Sequence, residues 1–162
     1  MFSKTNTGGN AGAPRARQRI VIMVGLPGSG KSTYLHKLGV NAISSDAIRL
    51  LLADDATDQT IHAQVFATMR YLLRRRLALG RPVSYVDATH LTVSERAPYV
   101  SIARAFDCDL EAVYFDVPIE VCQERNRLRH RVVPAEAIEA MRAKLVPPSL
   151  EEGFSRIIVV KS

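Results

Sequence analysis

A chain of 162 residues with 47 % hydrophobic content can bury one sizeable core but not two. Its formal net charge of +6 is gathered at one end: residues 1–19 hold Lys4, Arg15, Arg17 and Arg19 and no acid, leaving 18 basic against 16 acidic residues over 20–162. That near balance excludes a broad basic platform for nucleic acid, and the absence of any apolar run near ~20 residues excludes a membrane-spanning helix.

Residues 1–18 are rich in Gly, Asn, Thr and Ala, with no apolar stretch behind the basic residues. They are expected to form a flexible leader rather than a secretory signal, with one domain over 19–162. Arg19–Val24 then reads as a first strand. Directly after it, Gly25-Leu26-Pro27-Gly28-Ser29-Gly30-Lys31-Ser32 fits G-x-x-x-x-G-K-[ST] in full, and Lys31–Leu38 follows as a helix. A strand, a glycine-rich turn and a helix are the context in which this pattern makes a phosphate-binding P-loop. Gly25, Gly28 and Gly30 let the backbone curl so that several N–H groups converge on one anion, with Ser29 in the same phosphate-binding turn and Thr33 beside it on the helix. Lys31 supplies charge for the β/γ-phosphates of a nucleoside triphosphate such as ATP, and the Ser32 hydroxyl is a ligand for Mg²⁺.

Val40–Ser44 is expected to be a short second strand and Asp46–Ala53 a helix. Asp46 stands just past that strand, with Arg49 three residues on and facing the same way. The pair reads either as a base and an anion holder for an acceptor hydroxyl, or as a helix cap with a neighbouring charge. After the polar break 54–59, a longer helix runs through Val65, Phe66, Met69, Leu72, Leu73 and Leu77 and stops at Gly80 with Pro82 beyond. Its Arg74-Arg75-Arg76 run reads as a solvated face.

Val83–Asp87 is the third expected strand. Asp87 ends it as a Walker-B-type acid does, holding Mg²⁺ through water or steadying the acceptor, or else simply turning the chain. His90 follows, either bonding an acceptor phosphate or lying solvated in a loop. Ser94–Phe106 is helical, with Pro98 able to kink it or shift its start. Leu110–Asp116 is the fourth strand, Pro118–Arg129 and Pro134–Leu145 are helices, and Ile157–Val160 is the last strand. Arg125 and Arg129, four residues apart, read either as solvated charge or as a closing lid over the donor phosphates. Cys108 and Cys122 show no metal or disulfide spacing, as expected of thiols in a reducing, cytoplasmic setting.

Apolar β-branched runs alternating with helices predict an α/β fold, a P-loop NTPase whose parallel sheet of about five strands carries helices on both faces and a helical lid. Ligands in such folds sit beyond the carboxyl ends of the strands. Those ends deliver Gly25, Asp46, Asp87 and Asp116 to one rim.

Gly28 to Thr33, Ile43-Ser44-Ser45-Asp46 with Arg49, Val86-Asp87-Ala88-Thr89 and Val121 to Asn126 together resemble the polynucleotide 5′-hydroxyl kinase domain of phage and bacterial RNA-repair enzymes, within the wider group of AAA- and zeta-toxin-like ATP-binding kinases. Glu152-Gly153-Phe154 is similar too, and the likeness covers about residues 19–160. The resemblance implies transfer of the γ-phosphoryl of an NTP, with Mg²⁺, to the 5′-hydroxyl end of single-stranded RNA or DNA. It implies Asp46 as general base and Arg49 on the phosphate 3′ of the acceptor nucleotide. It further implies Arg125 and Arg129 on the donor phosphates and Val133, with its neighbours, beside the acceptor base. Rival expectations on the same scaffold are a small-molecule kinase and a nucleotide-dependent binding module.

Overall fold

The computed structural model describes residues 16–161, so most of the expected leader lies outside the described residues. Among the described residues, Arg17 pairs with Asp107 and Asp109, and the Gln18 amide donates to the Leu77 and Arg81 carbonyls.

Five strands form one sheet: β1 (Arg19–Val24), β2 (Ile43–Ser44), β3 (Val83–Asp87), β4 (Asp109–Asp116) and β5 (Arg156–Lys161). Their order is β2-β3-β1-β4-β5 and every pairing is parallel, with Ile20 opposite Ser84 on one side and Leu110 on the other. Central placement explains why Ile20 to Val24 is apolar at every position: both faces are covered. On one face Ile20, Ile22 and Val24 meet Val65, Met69, Leu73 and Leu77 of α3 (His62–Ala78) and Tyr99 and Ile102 of α4 (Val93–Ala105). On the other, Val21 and Met23 meet Leu35 of α1 (Lys31–Leu38), Cys122 of α5 (Ile119–Arg127) and Ile138 of α6 (Ala135–Lys144). A short helix, α2 (Ser45–Ala53), adds Ile48 to the first layer.

Local chemistry moved some expected boundaries. β2 begins at Ile43 rather than Val40, because Gly39 and Val40 are spent closing α1: their N–H groups donate to the His36 and Leu35 carbonyls. α5 stops at Arg127, two residues early, as Leu128 and Arg129 tighten onto the Arg125 and Asn126 carbonyls. Pro98 lies inside α4 without shifting its start, which Thr92 caps by accepting from the Glu95 N–H. Arg76 departs from the solvated face assigned to it: its guanidinium turns inward to Ser84 Oγ at 3.0 Å and the Val83 carbonyl at 2.8 Å.

Candidate active site

The carboxyl edge of β1 and β3 is the switch point of this sheet, and a cleft of ≈ 810 Å³ opens there. One end of it is formed by the turn between β1 and α1. Gly28, at φ 80°, lies so close to α5 that an added Cβ would stand 2.4 Å from the Cys122 carbonyl oxygen. Only glycine permits that approach, and it seats the turn against the helix carrying Arg125. Gly30 precedes α1 at φ 104° with no side-chain cap, and the first turn of α1 holds no acid. The leading N–H groups of α1 are thus left for an anion.

Lys31 folds over this turn, its Nζ donating to the Gly25 and Leu26 carbonyls at 2.9 and 2.7 Å. Desolvation lowers its pKa to about 8, opposed chiefly by the nearby Asp87 carboxylate. Burial in turn raises the pKa of Asp87, with Lys31 pulling the other way. Ser32, Thr33 and Asp87 all line the cleft. Ser29 does not: its side chain is buried behind the turn, its N–H donates to the Leu26 carbonyl, and its own carbonyl accepts from Arg125 Nη1 at 3.3 Å. Its part is to shape the loop: with its N–H spent on the Leu26 carbonyl and its side chain outside the cleft lining, Ser29 departs from the expected phosphate-binding set.

At the other end of the cleft, the residue that caps α2 is Ser44, not Asp46. The Ser44 hydroxyl caps α2 by accepting the Ala47 N–H, and Asp46 is left half-exposed in the cleft wall. One oxygen, Oδ1, faces two guanidinium groups, Arg49 at 3.5 Å and Arg131 at 3.0 Å. Arg49 is almost fully buried and its Nε has no partner, so this cation is held by packing with bonding capacity unspent. Arg125, Arg129 and Val133 also line the cleft.

His90 is the clearest correction. It is 1 % exposed, contributes nothing to the cleft wall, and stands at φ 47° with Nδ1 donating to the Met23 carbonyl at 2.6 Å. Burial drives its pKa down to about 4, so the ring is neutral near pH 7 and packs edge-on to Tyr99. It is a wedge under the rim, not an acceptor contact.

Sequence reasoning missed three groups. Asn126 is buried and clamps the lid loop through both ends of its amide: Nδ2 donates to the Val133 carbonyl at 2.6 Å, and Oδ1 accepts the Val133 N–H at 3.0 Å. Arg131 reaches Asp46 from that loop. His62 and Phe66, ring centroids 4.6 Å apart, stand on the cleft wall although Phe66 shares the period of the core.

With this geometry in view, comparison with known proteins decides the lineage. The AAA domain family model matches residues 20–148. The chain belongs to that family. Among its relatives is a bifunctional polynucleotide phosphatase/kinase of Schizosaccharomyces pombe, 22 % identical over 149 residues, 86 % of this chain and 33 % of the relative. The chain therefore spans about a third of that relative's length. Two solved structures share the P-loop kinase fold. One belongs to the Pnkp1/Rnl/Hen1 RNA repair complex, with a TM-score of 0.68 and 22 % identity, covering 81 % of this chain and 45 % of that one. The other is a gluconokinase of Sinorhizobium meliloti, with a TM-score of 0.58 and 21 % identity, covering 91 % and 84 %. Among the described residues, no helix is long and apolar enough to cross a membrane.

Proposed function

We propose that this chain is a polynucleotide 5′-hydroxyl kinase, moving the γ-phosphoryl of ATP or another NTP to a 5′-hydroxyl RNA or DNA end. The observation that carries this reading is the pairing of Asp46, open to the cleft and relieved of capping by Ser44, with the buried and under-bonded Arg49 beneath it. A carboxylate beside a fixed cation suits a hydroxyl that has an anionic neighbour, as the first nucleotide of a strand does. Likeness to the yeast phosphatase/kinase supports the same reading.

Donor phosphates would sit on the N–H groups at the start of α1, with Lys31 against the β/γ oxygens and Arg125 and Arg129 closing from the lid. Asp46 would orient the acceptor hydroxyl and take its proton, while Arg49 would bond the phosphate on the 3′ side. Ser32 and Asp87 fit Mg²⁺. Among the described residues no cluster of three His, Cys, Asp or Glu side chains exists, and Mg²⁺ takes only one or two protein ligands beside phosphates and water. When bound, it would neutralise charge on the transferring phosphoryl group.

A gluconokinase has the same fold, so a small polar acceptor is the competing reading. Phe66, Val132, Val133 and Met141 in the cleft wall favour a planar base over a sugar, which needs a polar lining. Arg49→Ala tests the choice. Transfer to a nucleoside 3′-phosphate should fall by ~10-fold or more, with a much smaller loss on the nucleoside lacking that phosphate. Equal losses on the two would contradict the phosphate contact.

A further inference from the structure

We propose that Arg131 couples acceptor entry to release of Asp46, holding the carboxylate while the site is empty and passing to an anionic group of the acceptor when it arrives. The proposal rests on Asp46 serving the acceptor hydroxyl, as argued above, and on that acceptor carrying an anionic group.

Arg131 Nη1 and Arg49 Nη1 converge on the same oxygen, Asp46 Oδ1, at 3.0 and 3.5 Å. The two cations are built differently. The Arg49 side chain is 5 % exposed, part of the α2 packing, and cannot leave. Arg131 is 30 % exposed and sits in the lid loop, two residues before the Val133 backbone that Asn126 holds. The loop is held at both ends, by the Leu128 and Arg129 N–H groups on the Arg125 and Asn126 carbonyls and by Asn126 on Val133, so the long Arg131 side chain rather than the backbone carries the movement. The Arg131–Asp46 pair links the lid loop to α2 across the cleft, so an acceptor that bonds Oδ1 competes with the guanidinium for it. An acceptor phosphate offers a planar guanidinium a bidentate partner better than one carboxylate oxygen, so displacement follows from binding.

The consequence is economy of donor. When water instead attacks the γ-phosphorus, a bond forms between the water oxygen and phosphorus, and the bond to the bridging oxygen breaks. The electron pair leaves with the nucleoside diphosphate, and the water proton passes to Asp46 Oδ1. With Arg131 on Oδ1 that oxygen is occupied and only Oδ2 is left to take the proton, so donor loss to water is reduced until an acceptor is present.

Acceptor-free NTP hydrolysis and acceptor transfer should be measured in Arg131→Ala, Arg131→Lys, Asp46→Asn and the Asp46→Asn/Arg131→Ala pair. Arg131→Ala should raise acceptor-free hydrolysis about three- to fivefold, the size a half-exposed ion pair supports. It should also raise KM for a 3′-phosphorylated acceptor while leaving kcat at saturation within about twofold. Lysine, which restores the charge, should bring hydrolysis back towards the wild-type level. The double variant should fall to the Asp46→Asn level, because the gain runs through that carboxylate. Damage to the lid alone would lower hydrolysis and transfer together. Unchanged or reduced hydrolysis in Arg131→Ala, or a gain that persists in the double variant, overturns the coupling while leaving the kinase reading standing. Undiminished transfer in Asp46→Asn overturns both.

Discussion

Lys31 carries its charge where the surroundings resist it, and this gives the donor site a pH signature. Desolvation lowers its pKa from 10.5 to about 8, so the folded chain sheds this proton well before the unfolded chain does. Between about pH 8 and 10.5 the unfolded state binds more protons, and the Lys31 contribution to stability rises with pH across that window. Nucleotide binding should run the other way. Triphosphate favours the charged amine, so affinity should weaken as pH climbs through about 8, and Lys31→Gln should bind weakly with no such dependence. Titration calorimetry at pH 7 and pH 9 reads this, and wild-type affinity equal at both would contradict it. The P-loop was legible because its motif is local: eight residues of sequence determine where Lys31 and Ser32 stand. Which residue caps α2 was not legible, because Ser44 and Asp46 both have capping side chains and only the structure shows Ser44 taking the Ala47 N–H. His90 was misread because position after a strand says nothing about the direction of a ring, and a positive φ turned it inward.

At the scale of elements, the lid depends on one amide. Asn126 replaces the backbone partners that α5 gives up when it ends at Arg127, and its two bonds to Val133 place the loop bearing Arg129 and Arg131. Asn126→Ala strands the Val133 N–H and carbonyl and should cost about 1–3 kcal/mol of folding stability. Its effect on kcat should exceed its effect on nucleotide affinity, since it loosens the closing element rather than the phosphate cradle. Urea unfolding and steady-state kinetics on the same preparation check both, and a variant with wild-type kcat would remove Asn126 from the lid. Strands β1 and β3 and helix α1 lay where apolar runs and the glycine turn put them. The ends of β2 and α5 did not, because both are decided by hydrogen bonds that reach back or across the chain. Arg125 and Arg129 were expected on one helical face; only Arg125 is helical, and both still reach the cleft.

Across the whole molecule, the fold is pinned by a charge that the sequence hides. Arg96 of α4 is fully buried and bonds both oxygens of Glu152, at 2.8 and 3.1 Å, and the carbonyls of His90, Leu91 and Val146. It ties the rim after β3 to the segment that leads into β5; its spacing from Tyr99 and Ala103 puts it on the inward face of α4, but its partner Glu152 lies 56 residues away in sequence. Arg96→Ala leaves Glu152 buried without its partner and should cost about 3–5 kcal/mol, measured by urea unfolding. A loss below about 1 kcal/mol would show the network to be slack. The parallel sheet itself was legible, since doubly covered strands must be apolar throughout and their carboxyl ends must share a rim. That shared rim makes one measurement decisive for the proposed activity. The protein, Mg²⁺ and γ-labelled ATP are incubated with a 5′-hydroxyl oligonucleotide, its 5′-phosphorylated counterpart and gluconate, and label is followed into each. Label on the 5′-terminal nucleotide of the first alone is the expected result; label on gluconate, with none on the oligonucleotide, would contradict the account.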